Sequence, residues 1–222
     1  MLDIRKLNVS IGPTSILRKV DITVAQGAIV GLTGRNGAGK TTLMRTIMGL
    51  LKPTAGSMHF DGVDLINLPA HKRTGLGIGY APEDRRLIPD LNVYENLCAP
   101  AWALGAKDVE ARLKRVYDII PELQEFAPRR AMQLSGGQQK LVAIGRALMT
   151  AQKLVLLDEP FEGVAPALSK RIAEVVGELR QEGFSALLSG ADLQHAGNVL
   201  DRIYRMDRGE MAVDPSVTSV EQ

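Results

Sequence analysis

Three short groups of residues in this chain have the types and spacing that chemistry on a phosphate requires. The first is Gly34-Arg35-Asn36-Gly37-Ala38-Gly39-Lys40-Thr41: a glycine, four residues, then Gly-Lys and a hydroxyl, with Thr42 adding a second hydroxyl. Glycine backbones accept turns that aim successive N–H groups at one anion. Lys40 supplies a point charge for the terminal phosphates of a nucleoside triphosphate, and Thr41 supplies a hydroxyl of the kind that ligates Mg²⁺. The second group is Asp158-Glu159, which closes the apolar run Leu154-Val155-Leu156-Leu157. Asp158 suits Mg²⁺, directly or through water, and Glu159 suits the general base that polarises an attacking water. The third is Leu134-Ser135-Gly136-Gly137-Gln138. Ser135 reads as a helix N-cap and Gln138, three residues on, completes a capping box. Two bare glycines before a helix N-terminus make a second anion site. Each group has a plainer reading on its own: a glycine-rich turn, an acid-capped strand, a well-capped helix. Their co-occurrence favours hydrolysis of a nucleoside triphosphate with Mg²⁺ as cofactor.

The elements around these groups have the required order. Residues 1–31 read as strands broken at Gly12-Pro13 and Gln26-Gly27. Ala28–Thr33 reads as a buried strand running into the glycine loop. Thr41–Gly49 follows as a helix with Leu43, Met44, Ile47 and Met48 on one face. A strand pair is expected over Ser57–Val63. From Val93 to Met149 the chain turns helical, with apolar faces at Leu113, Val116, Tyr117 and Ile120 and at Leu141, Ile144 and Leu148. Lys153–Leu157, Ser185–Ser189 and Arg202–Arg205 read as strands, with a helix through Leu168, Ile172, Val175, Val176 and Leu179. This alternation predicts an α/β core with a helical insert. The expected boundaries are a single domain, with 1–90 and 151–213 as nucleotide-binding core, 91–150 as the inserted lobe and 214–222 as a frayed tail.

Bulk properties narrow the classes further. A 222-residue chain that is 45% apolar can bury a sizeable core. A net charge of +2 and 4% aromatics offer neither a basic stripe nor base-stacking platforms, so nucleic acid is not an expected partner. Cys98 is the sole cysteine, which leaves no internal disulfide and fits a reducing compartment. Met1–Ser10 alternates like a strand rather than a secretion signal, and no apolar run approaches the roughly 20 residues of a spanning helix.

The combination of phosphate loop, LSGGQ and an LLDEP segment resembles the signature of ABC-type ATPases, over nearly the whole chain. The resemblance implies a P-loop NTPase (RecA-like) core with an antiparallel β subdomain and an inserted helical signature subdomain. It also implies ATP and Mg²⁺ as ligands and a head-to-tail pairing with a second ABC ATPase subunit, identical or not. Each ATP would then lie between Gly34–Thr42 of one chain and Ser135, Gly136, Gly137 and Gln138 of the other. Glu83, in Ala81-Pro82-Glu83-Asp84-Arg85-Arg86, stands where the family's lid loop usually has Gln. This PEGR-like variant and Glu159-Pro160-Phe161-Glu162-Gly163-Val164-Ala165-Pro166, which is similar to an EPSxGLAP stretch, resemble ATPase subunits of branched-chain amino acid importers and of related urea and amide importers. Glu83 is accordingly expected near the metal and the reacting phosphate. Asn92-Val93-Tyr94-Glu95-Asn96-Leu97 resembles the TVxENL opening of the helical lobe, and the surface over residues 83–96 would receive a coupling helix from transmembrane permease subunits. A peripheral place on the cytoplasmic face of the membrane, and an extracytoplasmic binding protein that selects the solute, follow from the same resemblance.

Two positions depart from the family pattern. Ile11 occupies the place of the aromatic that usually stacks on adenine, so nucleotide binding weaker by about 1 kcal/mol is expected. Ala191 occupies the place of the switch histidine, and His195 four residues on reads as a surface residue, so slower hydrolysis is expected. Two other tasks fit the same fold. One is a regulatory subunit with weak hydrolysis beside a more active partner. The other is a soluble ATPase of DNA repair or translation, which typically has a long coiled-coil insert or tandem nucleotide domains that this chain lacks.

Overall fold

The computed structural model describes residues 1–213; residues 214–222, read above as a frayed tail, lie outside the described residues. The chain begins with β1 (Leu2–Ile11) and β2 (Thr14–Val24), then β3 (Ile29–Thr33), α1 (Lys40–Ile47), β4 (Ala55–Phe60), β5 (Val63–Asp64), α2 (Ala70–Gly75) and β6 (Ile78–Ala81). Four helices follow: α3 (Val93–Ala103), α4 (Val109–Ile119), α5 (Glu122–Phe126) and α6 (Gly136–Leu148). The chain then returns through β7 (Leu154–Leu157), α7 (Pro166–Gln181), β8 (Ser185–Gly190), β9 (Arg202–Asp207) and β10 (Glu210–Val213).

Two sheets result. The first is antiparallel, in the order β2-β1-β4-β5; the second has the order β10-β9-β3-β8-β7-β6, parallel except for β10. The antiparallel strands alternate, but with a slip. In β1 the buried residues are Leu2 and Ile4, then Leu7 and Val9; in β2 they are Leu17, then Val20, Ile22 and Val24. The phase changes where Lys6 and Lys19 take positive φ of 46° and 47° and the pairing register shifts. Such a bulge re-aims a strand so that both halves keep their apolar residues inward. The parallel strands β3, β7 and β8 have no polar face to show, because both faces are covered; β7 and β8 are buried throughout.

α1 lies between the sheets. Its Leu43, Met44 and Ile47 share one core with Leu7, Leu17, Leu32 and Leu156. On the other face of the parallel sheet, α6, α7 and the helices α3 to α5 build the second core around Val142, Leu148, Val155, Ile172 and Leu188. Tyr94 and Trp102, two turns apart on α3, meet edge to face at 6.1 Å, with Trp102 49% exposed. No helix among the described residues is long and apolar enough to cross a membrane.

Three elements were not expected from sequence. β6 is four residues long and contains Gly79, which reads as a breaker; a Cβ there would collide with the Ala147 carbonyl of α6. β10 is a short edge strand after a turn. α2 carries the buried Arg73, whose guanidinium donates to the carbonyls of Thr46 at 2.8 Å and Ile47 at 2.7 Å. Both carbonyls lie in the last turn of α1, and that of Thr46 also accepts from the Gly49 N–H at 3.0 Å, so Arg73 works as a remote cap beside the backbone turn.

Candidate nucleotide site

The parallel strands bring the chemistry to one edge. Thr33 at the end of β3 is level with Gly190 of β8 and Arg205 of β9, and Leu157 of β7 is level with Ala81 of β6. The segments that leave this carboxyl edge are therefore Gly34 onward, Asp158-Glu159, Ala191 and Pro82-Glu83. A crevice outside the carboxyl ends of parallel strands is where α/β folds bind ligands. Here it is a cleft of about 410 Å³ lined by Ile16, Asn36, Gly37, Gly39, Lys40, Thr41, Thr42, Glu83, Glu159 and Glu162. Gly34, Arg35 and Ala38 face a second cleft across the loop, shared with Ala191 and Arg205.

Glycine is required at Gly39 for two reasons. Its φ is +114°, and a Cβ would sit 2.8 Å from Leu17 Cδ2. The next residue starts α1, so Lys40 points back over the loop. Its Nζ donates to the carbonyls of Gly34 at 2.6 Å and Arg35 at 3.1 Å, and pairs with Glu159 Oε1 at 3.0 Å. Both side chains are under 10% exposed. Lys40 is thus tied to the loop and to Glu159 at once.

Asp158 is held from three sides. Thr41 Oγ1 donates to it at 3.2 Å, Ser189 Oγ at 2.7 Å and the Tyr80 hydroxyl at 3.0 Å. Burial, and then the Asp158 charge, push the Tyr80 phenol well above its usual range, which keeps it a donor. Glu159 takes a left-handed φ of +50°, its N–H donates to Ser189 Oγ at 3.0 Å, and its Oε2 accepts from the Ala191 N–H at 3.3 Å. Ser189 therefore orients both acidic residues, through the side chain of one and the backbone of the other. Sequence reading missed Ser189, Tyr80 and Glu162. Tyr80 sits in the unrecognised strand β6, and a serine ending an apolar strand carries no spacing signal.

Glu83 overhangs the cleft. Its carboxyl is raised above the ordinary 4.5, first by desolvation and then by the charges of Glu162, Asp158 and Glu159. A carboxyl raised by folding stabilises below its unfolded value and loses that contribution as pH rises through its folded value. Glu83→Gln is therefore expected to melt at a higher temperature than the parent at pH 7 without added nucleotide, and at the same temperature at pH 4. An equal difference at both pH values would refute the electrostatic account.

The other expected residues lie elsewhere. Ile11 ends β1 opposite Thr14, is 50% exposed and does not line the cleft; the apolar residue at the cleft is Ile16. His195 is exposed on a short 3-10 helix, Gln194–Val199, beside the Phe161 ring. Ser135, Gly136, Gly137 and Gln138 form the start of α6 and line neither cleft. Both bonds of the capping box are present: Gln138 N–H donates to Ser135 Oγ at 3.3 Å, and Ser135 N–H donates to Gln138 Oε1 at 3.0 Å. One chain therefore carries two separate helix N-termini suited to anions. Among the described residues no group of three or more His, Cys, Asp or Glu forms a metal cage. Thr41 and Asp158 instead offer two hard oxygens beside the phosphate loop, a set that fits Mg²⁺, which takes few protein ligands and completes its shell with phosphate and water.

Comparison with known proteins agrees with this geometry. Residues 17–162 match the ABC transporter family. The chain is 36% identical over 213 residues to the high-affinity branched-chain amino acid transport ATP-binding protein BraG of Pseudomonas aeruginosa, covering 96% of this chain and 91% of that protein. It is 34% identical over 209 residues to the lipopolysaccharide export system ATP-binding protein LptB of Escherichia coli, covering 93% and 87%. Among solved structures, an ATP-binding cassette of an ABC transporter in its ADP conformation superposes with a TM-score of 0.84 at 30% identity, covering 96% and 89%. A dimeric cassette in a post-hydrolysis state, bound to ADP and Pi, superposes with a TM-score of 0.84 at 27% identity, covering 96% and 98%. The phosphate loop, the paired acids at the carboxyl edge and this full-length likeness make the chain a member of the ABC transporter family, one of its ATP-hydrolysing, nucleotide-binding subunits.

Proposed function

We propose that the chain powers solute import, with branched-chain amino acids as the solute class, from the cytoplasmic face of a membrane where it pairs with permease subunits. The observation that supports this best is the likeness to BraG over 96% of the chain. Two cassettes would pack head to tail, identical or not, so that Ser135-Gly136-Gly137 of one meets the phosphates held by the other. The exposed start of α6, already capped and bare of side chains at its two glycines, supports this pairing. ATP favours the closed pair through its differential affinity for that state, and hydrolysis reopens it.

Within a site, the Gly34–Thr42 backbone and the α1 N-terminus orient the phosphates. Bound Mg²⁺, held by Thr41 and Asp158 with Glu83 nearby, would neutralise phosphate charge. Lys40 and Glu159 neutralise each other in this structure, and a phosphate competes with Glu159 for Lys40. The carboxylate so released keeps the Ala191 N–H as its donor and polarises the attacking water. Ala191 offers only this backbone donor, which supports slower turnover and gives the regulatory-subunit reading its one specific argument. The likeness to LptB makes lipopolysaccharide export the rival transport task.

The test is co-purification with permease partners, reconstitution in vesicles and an ATPase assay with the cognate binding protein. Leucine, isoleucine or valine is expected to raise turnover about tenfold, an order-of-magnitude coupling effect, and urea or short amides are not. Stimulation by urea alone would move the solute class, and stimulation by lipopolysaccharide with no amino-acid response would reject import.

A further inference from the structure

Lys140 is a buried lysine that no motif accounts for. It lies on α6, one turn in from the capped start, and is 6% exposed. Its ammonium reaches across to the turn after β7 and donates to two backbone carbonyls, Glu159 at 2.7 Å and Glu162 at 2.8 Å. Burial is the largest influence on this ammonium and lowers its pKa from the ordinary 10.5, joined by the Arg85 charge and opposed by Glu162, Glu159 and Glu83. Burying a cation is costly, and here two hydrogen-bonded carbonyls and the charges of Glu162, Glu159 and Glu83 offset that cost, which ties the ammonium to this turn.

The turn it holds is under strain. Glu159 has a φ of +50°, a region that non-glycine residues enter only when their surroundings hold them there. Ser189 grips the Glu159 N–H and Lys140 grips its C=O, so the peptide groups on both sides of the Glu159 Cα are fixed by side chains from two different elements. The carboxylate aimed by that Cα faces Lys40 and the Ala191 N–H. The same helix fastens the other loop at the cleft. Arg146, further along α6, donates to the carbonyls of Arg85 and Arg86, and Arg85 in turn donates to Gln139 Oε1 at 3.0 Å.

We infer that Lys140 is a positioning residue for Glu159: it fixes the strained turn that aims the carboxylate, and so makes the geometry of one chain's base depend on where its own signature helix lies. The inference rests on the reading of Glu159 as general base. It concerns the aim of the carboxylate and not nucleotide binding, because Lys140 does not line the phosphate cleft.

The experiment compares wild type, Lys140→Met, Glu159→Gln and the double variant in single-turnover ATPase assays on folded protein, with ATP affinity measured alongside. Lys140→Met keeps the length of the side chain and removes both bonds. It is expected to lower the rate constant about 10- to 100-fold, the scale of a misplaced reacting group, with ATP affinity within about threefold of wild type. In the Glu159→Gln background the same substitution is expected to cost nothing further, because the group it aims is gone. Lys140→Gln, which keeps a neutral donor group on a shorter side chain, is expected to fall between and carries the same comparison if the Met variant does not fold. An unchanged rate, a loss confined to ATP affinity, or an equal loss in the Glu159→Gln background overturns the inference. Near-normal turnover of Glu159→Gln itself overturns the base assignment instead, so the two failures are distinct.

Discussion

Glu159→Gln is expected to cut ATP turnover by about 100- to 10,000-fold, the range a general base contributes, while the protein still binds ATP. The phosphate loop, Thr41 and Asp158 are untouched by the change, and Lys40 no longer has to leave Glu159, so the variant should bind ATP more tightly than wild type. The substitution has a second effect that a purely catalytic picture omits. Glutamine cannot neutralise Lys40, and the two side chains are 4% and 8% exposed. Removing one partner of such a pair costs about 3–5 kcal/mol; the low end applies, because Lys40 keeps the carbonyls of Gly34 and Arg35. At about 2–4 °C per kcal/mol for a domain of this size, the variant should melt about 6–12 °C below wild type without nucleotide. Saturating MgATP should close most of that gap, since phosphate then serves Lys40. Melting curves with and without MgATP, set beside turnover, check both halves. A variant that hydrolyses at the parental rate, or melts identically without nucleotide, contradicts the roles given to the pair.

Lys40→Ala reverses the roles and is expected to fail at binding. Charge-assisted hydrogen bonds are worth about 1.5–3 kcal/mol, so ATP affinity should fall about 10- to 150-fold. Turnover at ordinary ATP concentrations then disappears with it. Stability should fall as well, because Glu159 is left buried with the Ala191 N–H as its remaining donor. The decisive comparison is the double variant. If Lys40 and Glu159 stabilise the fold through each other, Lys40→Ala with Glu159→Gln should cost less than the sum of the single changes, by about 1–3 kcal/mol of coupling. Simple additivity in denaturant titrations would show that the 3.0 Å contact contributes nothing to stability.

Much of this site is legible in the amino-acid sequence. A glycine loop ending in Lys-Thr, an apolar run ending in Asp-Glu and a Ser-x-x-Gln helix start are local patterns, and each states its own geometry. The apolar run Ala28–Thr33 and the apolar face over Thr41–Gly49 predict the strand and helix found at Ile29–Thr33 and Lys40–Ile47. What stayed hidden depends on distance in space. Ser189 lies 31 residues beyond Asp158, and nothing in its neighbours marks it. Tyr80 sits in a four-residue strand containing a glycine, a pattern that reads as a turn until α6 is seen packed against it. Ile11, whose place before Gly12 suggests the adenine position, stands exposed at the end of β1, while the apolar residue lining the phosphate cleft is Ile16 on the next strand. Lys140 and Arg73 carry no spacing signal; only the carbonyls they reach show that they are structural cations.

Trp102 is the chain's sole tryptophan. It lies on the half-exposed face of α3, edge to face with Tyr94, while the phosphate cleft opens at the sheet edge and has no aromatic ring among its lining residues. Selective indole excitation therefore illuminates one surface of the helical lobe and nothing else. Its emission colour and quenching by iodide follow the wetness of that surface, so the molecule carries its own optical gauge for whatever comes to rest on α3. Titrations read at this wavelength separate events at the lobe from events at the phosphates without any attached dye.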